Sequence, residues 1–150
     1  MEKEELTVLR AEIKAQIEEI QHIYERLDER KKRRGKAATE SIGYQLHNLY
    51  CAFEDLFEII AKTFENHIYD RNKYHMELLK RMTISIEGVR PSLLSQESFV
   101  LLDNLRSFRH FFRHAYTYDL DERKVGIVLS DALKLRDIYQ KDANAFLNSF

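Results

Sequence analysis

The chain of 150 residues carries four Gly and one Pro, where ordinary usage would supply about ten and about seven. Sandwiches and barrels need a turn every ~8–12 residues, so these compositions exclude most all-β folds and point to an all-α one. Hydrophobic residues at 44% suffice for a core, 33% charged residues exclude a membrane-embedded chain, and a net charge of -1 announces no nucleic-acid partner in bulk.

Apolar spacing predicts five helical segments in chain order. In the first, Leu6, Leu9, Ile13, Ile17, Ile20, Tyr24 and Leu27 form one stripe. It ends in the basic run Arg30 to Arg34 followed by Gly35, which is a helix-stop pattern. The second carries Ile42, Leu46, Leu49, Phe53, Leu56, Ile60 and Phe64. Two long helices joined by a short charged turn should form an antiparallel hairpin. Their regularity also suggests surplus apolar surface for a dimer.

The pattern breaks around Asp70, Arg71 and Asn72. It resumes at Tyr74, Leu78, Met82 and Ile86, with Gly88 and Pro91 closing a third helix. Ser95 is the expected N-cap of a fourth, whose stripe runs Phe99, Leu102, Leu105, Phe108, Phe112 and Ala115. The span from Asp119 to Glu122 reads as a capping box opening a fifth, with Asp119 as cap. No repeat or linker interrupts residues 1–150, so one domain is expected: an antiparallel bundle of about five helices.

Cys51 has no second cysteine to pair with, which fits a reducing compartment, and its apolar neighbours suggest a buried inert thiol. The N-terminal stretch reads as neither signal peptide nor anchor, and no run approaches the ~18 apolar residues of a membrane span. A soluble cytoplasmic protein with no membrane contact is the expectation. The basic run Arg30 to Arg34 with Lys36 reads as a solvated turn ahead of an RNA-binding patch.

Chemistry concentrates at residues 106–118, RSFRHFFRHAYTY, with three Arg, two His and two Tyr interleaved with Phe. On one continuous helix Arg109 and Tyr116, seven apart, would share a face. Arg109 and His114, five apart, would lie ~140° around and ~7.5 Å along the axis. Those two would flank an extended phosphodiester more readily than bond each other. Alternatively, the polar groups line a helix interface. His110 and His114 are also an i, i+4 pair able to bind zinc, with Asp103 and Asp119 as the nearest acids.

The segment from Arg109 and His110 to His114 and Tyr116 resembles the R-x4-H-x-Y motif of the HepT ribonuclease toxins in the HEPN superfamily. Tyr74-His75 with Leu78, Leu79 and Met82, and the Val89-Arg90-Pro91 loop, are similar to the segments preceding that motif. The motif-level likeness spans roughly residues 74–120. It implies a HEPN-like bundle that dimerises so that two motifs form a composite endoribonuclease site, without metal or other cofactor. Arg109 and His114 would be catalytic, with His110 and Arg113 in support. An equal alternative for Arg113 is an ion pair with a neighbouring helix. His75 and Arg90 read as structural or rim residues. The resemblance also implies a nucleotidyltransferase antitoxin that adenylylates Tyr116 (AMPylation), and a homodimer able to enter a larger hetero-oligomer with it. Two alternatives stay open: a non-catalytic helical module of the same superfamily binding nucleotide or protein, and a metal-binding bundle built on His110 and His114.

Overall fold

A computed structural model describes residues 1–64, 73–117 and 119–150. It consists of α1 (Lys3–Arg30), α2 (Lys36–Phe64), α3 (Tyr74–Arg81), α4 (Gln96–Arg113) and α5 (Glu122–Asn148). Among the described residues there is no strand, only an isolated bridge between Ile86 and Arg90. The expected break at Asp70, Arg71 and Asn72 lies outside the described residues, as does Tyr118.

α1 and α2, 28 and 29 residues long, pack side by side as a hairpin. The chain reverses at Gly35, whose φ of +98° is a conformation that residues with a Cβ rarely adopt. The basic run beside it is solvated: Lys31 pairs with Asp28, Arg33 with Glu29 and Lys36 with Asp119, all at exposed positions.

Most of the two stripes is spent inside the chain, with Ile17 and Phe64 only partly buried. Leu9, Ile13, Ile20, Tyr24 and Leu27 of α1 meet Ile42, Leu46, Leu49, Phe53, Leu56 and Ile60 of α2 in one core shared by all five helices. α2 is the central element and packs on each of the other four. On its far side Gly43 permits a close approach. A Cβ there would lie 3.0 Å from Leu120 and 3.2 Å from Phe112.

α5 closes the bundle against α1 through Tyr24. Its hydroxyl donates to the Ala132 carbonyl at 2.8 Å, and the Arg136 guanidinium sits 4.6 Å from its ring centre. The same guanidinium reaches Asp28 at 3.0 Å.

Three local expectations are corrected. α3 ends at Arg81, so Ile86 lies outside the helix. Buried Arg90 stops it, donating to the carbonyl of its last residue, Arg81, and to those of Ile84 and Pro91 in the loop beyond. α5 is capped by Asp121, which accepts from the backbone of Arg123 and Lys124, while Asp119 pairs with Lys36. α4 stops at Arg113, short of Ala115 and Tyr116. The expected cap at its other end is present: Ser95 accepts from the Ser98 backbone N–H.

Candidate functional site

α4 is held in register by its N-terminus. The Oδ2 of Asp142, on α5, accepts from the Ser95 N–H and hydroxyl, both at 3.0 Å, and from the Ser98 hydroxyl at 2.6 Å. Leu102, Leu105 and Phe108 then bury one face. Flanking that face, Arg106, Arg109 and His110 line a cavity of 310 Å³, to which α3 adds His75 and Met76 and the residue before it, Lys73.

Arg109 is half-buried here. Its terminal N–H lies 3.4 Å from His75 Nε2, and its Nε is buried with no partner among the described residues. Arg106 is held by Asp103 at 2.8 Å. Arg109 has no carboxylate in ion-pair contact among the described residues, and the Glu54 carboxylate feels its charge from behind His75. Arg113 is exposed and likewise forms no ion pair among the described residues.

His114 is the C-cap residue of α4, with its N–H turned onto the Phe111 carbonyl at 3.0 Å. Its exposed ring meets that of His110 edge-on at 4.8 Å. Arg109 and His114 do not hydrogen-bond each other; His110 lines the cavity with Arg109 and touches His114.

Tyr116 is not on the Arg109 face of a helix, because the helix has ended. It lies in the following turn at 85% exposure. Beside it is a second cavity of 290 Å³ that includes Arg113, Phe112 and Leu120 in its lining.

The His110–His114 pair gains no third metal ligand among the described residues. The two nearest acids in sequence are engaged elsewhere, Asp103 with Arg106 and Asp119 with Lys36. His75 lines the cavity, whereas Arg90 is buried on backbone carbonyls. Cys51 is half-buried, its sulfur 3.9 Å from His47 Nε2.

Several contributors on α2 carry no sequence signal, because they sit among the core residues of an amphipathic helix. Glu54, 7% exposed, bonds His75 at 2.7 Å. Burial raises its carboxyl above the usual range, against the opposing bond from His75. Tyr50 buries its hydroxyl nearby without a partner among the described residues. Burial, then the Glu54 charge, push that phenol far above its ordinary value. His47 packs on Phe112 at 5.3 Å, and its pKa is lowered by burial and by the charges of Arg109 and Arg113.

An all-α bundle whose fourth helix and the turn after it carry an Arg-x4-His-x-Tyr segment beside a cavity lined by Arg and His side chains is a HEPN-like fold. The chain belongs to the HepT-like family: the family model described as HepT-like protein matches residues 41–150. No curated relative and no solved structure matches it. No helix among the described residues is long and apolar enough to cross a membrane.

Proposed function

We propose that this chain is a metal-independent endoribonuclease, the toxin of a toxin–antitoxin pair, folded as a single domain. Two copies would join their α4 motifs in one composite site, with no cofactor. The observation that carries the reading is Arg109: a guanidinium with no carboxylate partner among the described residues, facing a cavity that His110 links to His114.

RNA brings its own nucleophile, so the protein needs no activated Ser or Cys. The 2′-hydroxyl attacks the adjacent phosphorus and the bond to the 5′-oxygen breaks, leaving a 2′,3′-cyclic phosphate and a free 5′-hydroxyl. Histidine as a residue type exchanges protons near neutrality, so an imidazole can take the first proton and return one to the leaving oxygen. Two copies of His114 supply one for each task. Arg109 offers paired N–H donors to the phosphoryl oxygens as their charge grows in the transition state. Arg113 and His110 extend the contact along the strand. Because these cations gather at one end of α4, the net charge of -1 is no obstacle to an RNA partner.

Tyr116 is the proposed adenylylation site of a nucleotidyltransferase antitoxin. Its exposure makes it reachable by a second enzyme. AMP added there would place bulk and negative charge two residues from His114 and repel RNA phosphates.

The test is incubation of the protein with RNA in EDTA, followed by analysis of the new ends. Products ending in 2′,3′-cyclic phosphate support the scheme. Cleavage that chelation abolishes, or products carrying 5′-phosphate, would refute it.

A further inference from the structure

The wall of the cavity behind Arg109 contains groups that the reaction scheme leaves unused. Three helices each contribute one residue to a single line of contacts: Glu54 on α2, His75 on α3 and Arg109 on α4. The Glu54 carboxylate lies 2.7 Å from His75 Nδ1, and His75 Nε2 lies 3.4 Å from Arg109. Chemistry dictates the direction of these bonds. A guanidinium only donates, so Nε2 must present its lone pair. The ring proton then sits on Nδ1 and is given to Glu54.

We infer that Glu54 and His75 are positioning residues for Arg109. The carboxylate holds the imidazole in its Nδ1–H tautomer, and the Nε2 lone pair tethers one terminal guanidinium N–H, fixing the plane in which the remaining terminal N–H groups meet the cavity. This rests on the ribonuclease reading of Arg109. The pair acts as an outer partner does at a metal or phosphate site, fixing the orientation of a group that itself touches substrate. Glu54, at 7% exposure, is shielded from water that would compete for the imidazole.

Protonating His75 replaces the acceptor with a second donor facing a cation, which undoes the tether. Among the described residues, the charged groups around the ring are Glu54 on α2, with Glu58 a turn further on and bonded to Tyr74; Lys73 on its own segment; and Arg106, Arg109 and His110 on α4.

Two measurements test the inference. Nitrogen-15 NMR of the histidine rings in the intact chain should find His75 neutral, with its proton on Nδ1, at pH 7. An Nε2–H tautomer or an imidazolium there overturns it, whether or not the protein cleaves RNA. In kinetics, His75→Ala and Glu54→Leu should lower kcat about 100-fold and leave KM within about twofold. Glu54→Gln, whose amide oxygen still accepts from Nδ1–H, should recover most of the rate. Circular dichroism melts confirm that each variant is folded at the assay temperature. Equal loss in the Gln and Leu variants, or a loss confined to KM, overturns the inference. Absence of cleavage by unmodified parent protein would instead sink the ribonuclease reading, and the positioning role with it.

Discussion

Asp142→Ala should loosen the helix that carries the site without touching the site. One carboxylate oxygen accepts three hydrogen bonds at the start of α4, from the Ser95 N–H, the Ser95 hydroxyl and the Ser98 hydroxyl. Ser95 is exposed, so water replaces its two bonds at little cost. Ser98 is 0% exposed, and its 2.6 Å bond is the one that water cannot replace. A buried hydrogen bond to a charged group contributes about 1.5–3 kcal/mol, so the variant should lose about 2 kcal/mol. For a domain of this size that lowers Tm by roughly 4–8 °C. Asp142→Asn keeps the acceptor and should lose about half as much. The assay is thermal unfolding of the parent, both Asp142 variants, Ser98→Ala and the double variant. In the Ser98→Ala background Asp142→Ala should cost well under 1 kcal/mol, since the bond it breaks is already gone. An undiminished loss in that background, or a Tm unchanged by Asp142→Ala, would refute the reasoning.

Three further outcomes follow from the packing and charges. Gly43→Val would set a Cβ 3.0 Å from Leu120 and 3.2 Å from Phe112 with two methyl groups beyond it, and should destabilise by about 1–3 kcal/mol in urea unfolding. Asp28 has a lowered pKa: partial burial raises it, but the bonds from Arg136 and Lys31 outweigh that effect. Its contribution is therefore present above its unfolded value of 3.8 and disappears as pH falls through the lower folded value. Urea midpoints of Asp28→Asn should sit below the parent at pH 6 and converge with it below pH 3. Tyr116→Phe should cleave RNA as the parent does yet show no added AMP mass after exposure to a cognate nucleotidyltransferase, because the 85% exposed ring bears no buried contact whose loss would disturb the fold.

Much of the bundle was legible because long helices advertise themselves. The α1 and α2 stripes, the basic turn at Gly35 and the Ser95 cap each follow from local chemistry that tertiary contacts then reinforce. Helix ends decided by distant partners were not legible. The periodicity of α3 runs on to Ile86, but Arg90 collects the carbonyls of Arg81 and Ile84 and ends the helix earlier. The α4 pattern continues to Ala115, but the chain turns at His114, and Leu120 returns to pack beside Phe112 at Gly43. Asp119 and Asp121 are equally good caps by type, and only the start of α5 at Glu122 selects the second.

The site shows the same division. Arg109, His110, His114 and Tyr116 stand out by density on one segment. Glu54 and Tyr50 do not, because a buried polar group within an amphipathic helix has no periodic signature. Only the packing of α2 against α3 and α4 gives Glu54 a partner in His75.

The most direct test is the cleavage rate of one RNA in EDTA by unmodified parent protein, Arg109→Ala and His114→Ala. Mass spectrometry first confirms that Tyr116 carries no AMP. The account predicts cleavage by the parent and a fall of about 10²–10³ or more in each variant, the usual cost of removing a group that stabilises or protonates the transition state. Cleavage that persists at the parental rate in both variants would contradict it.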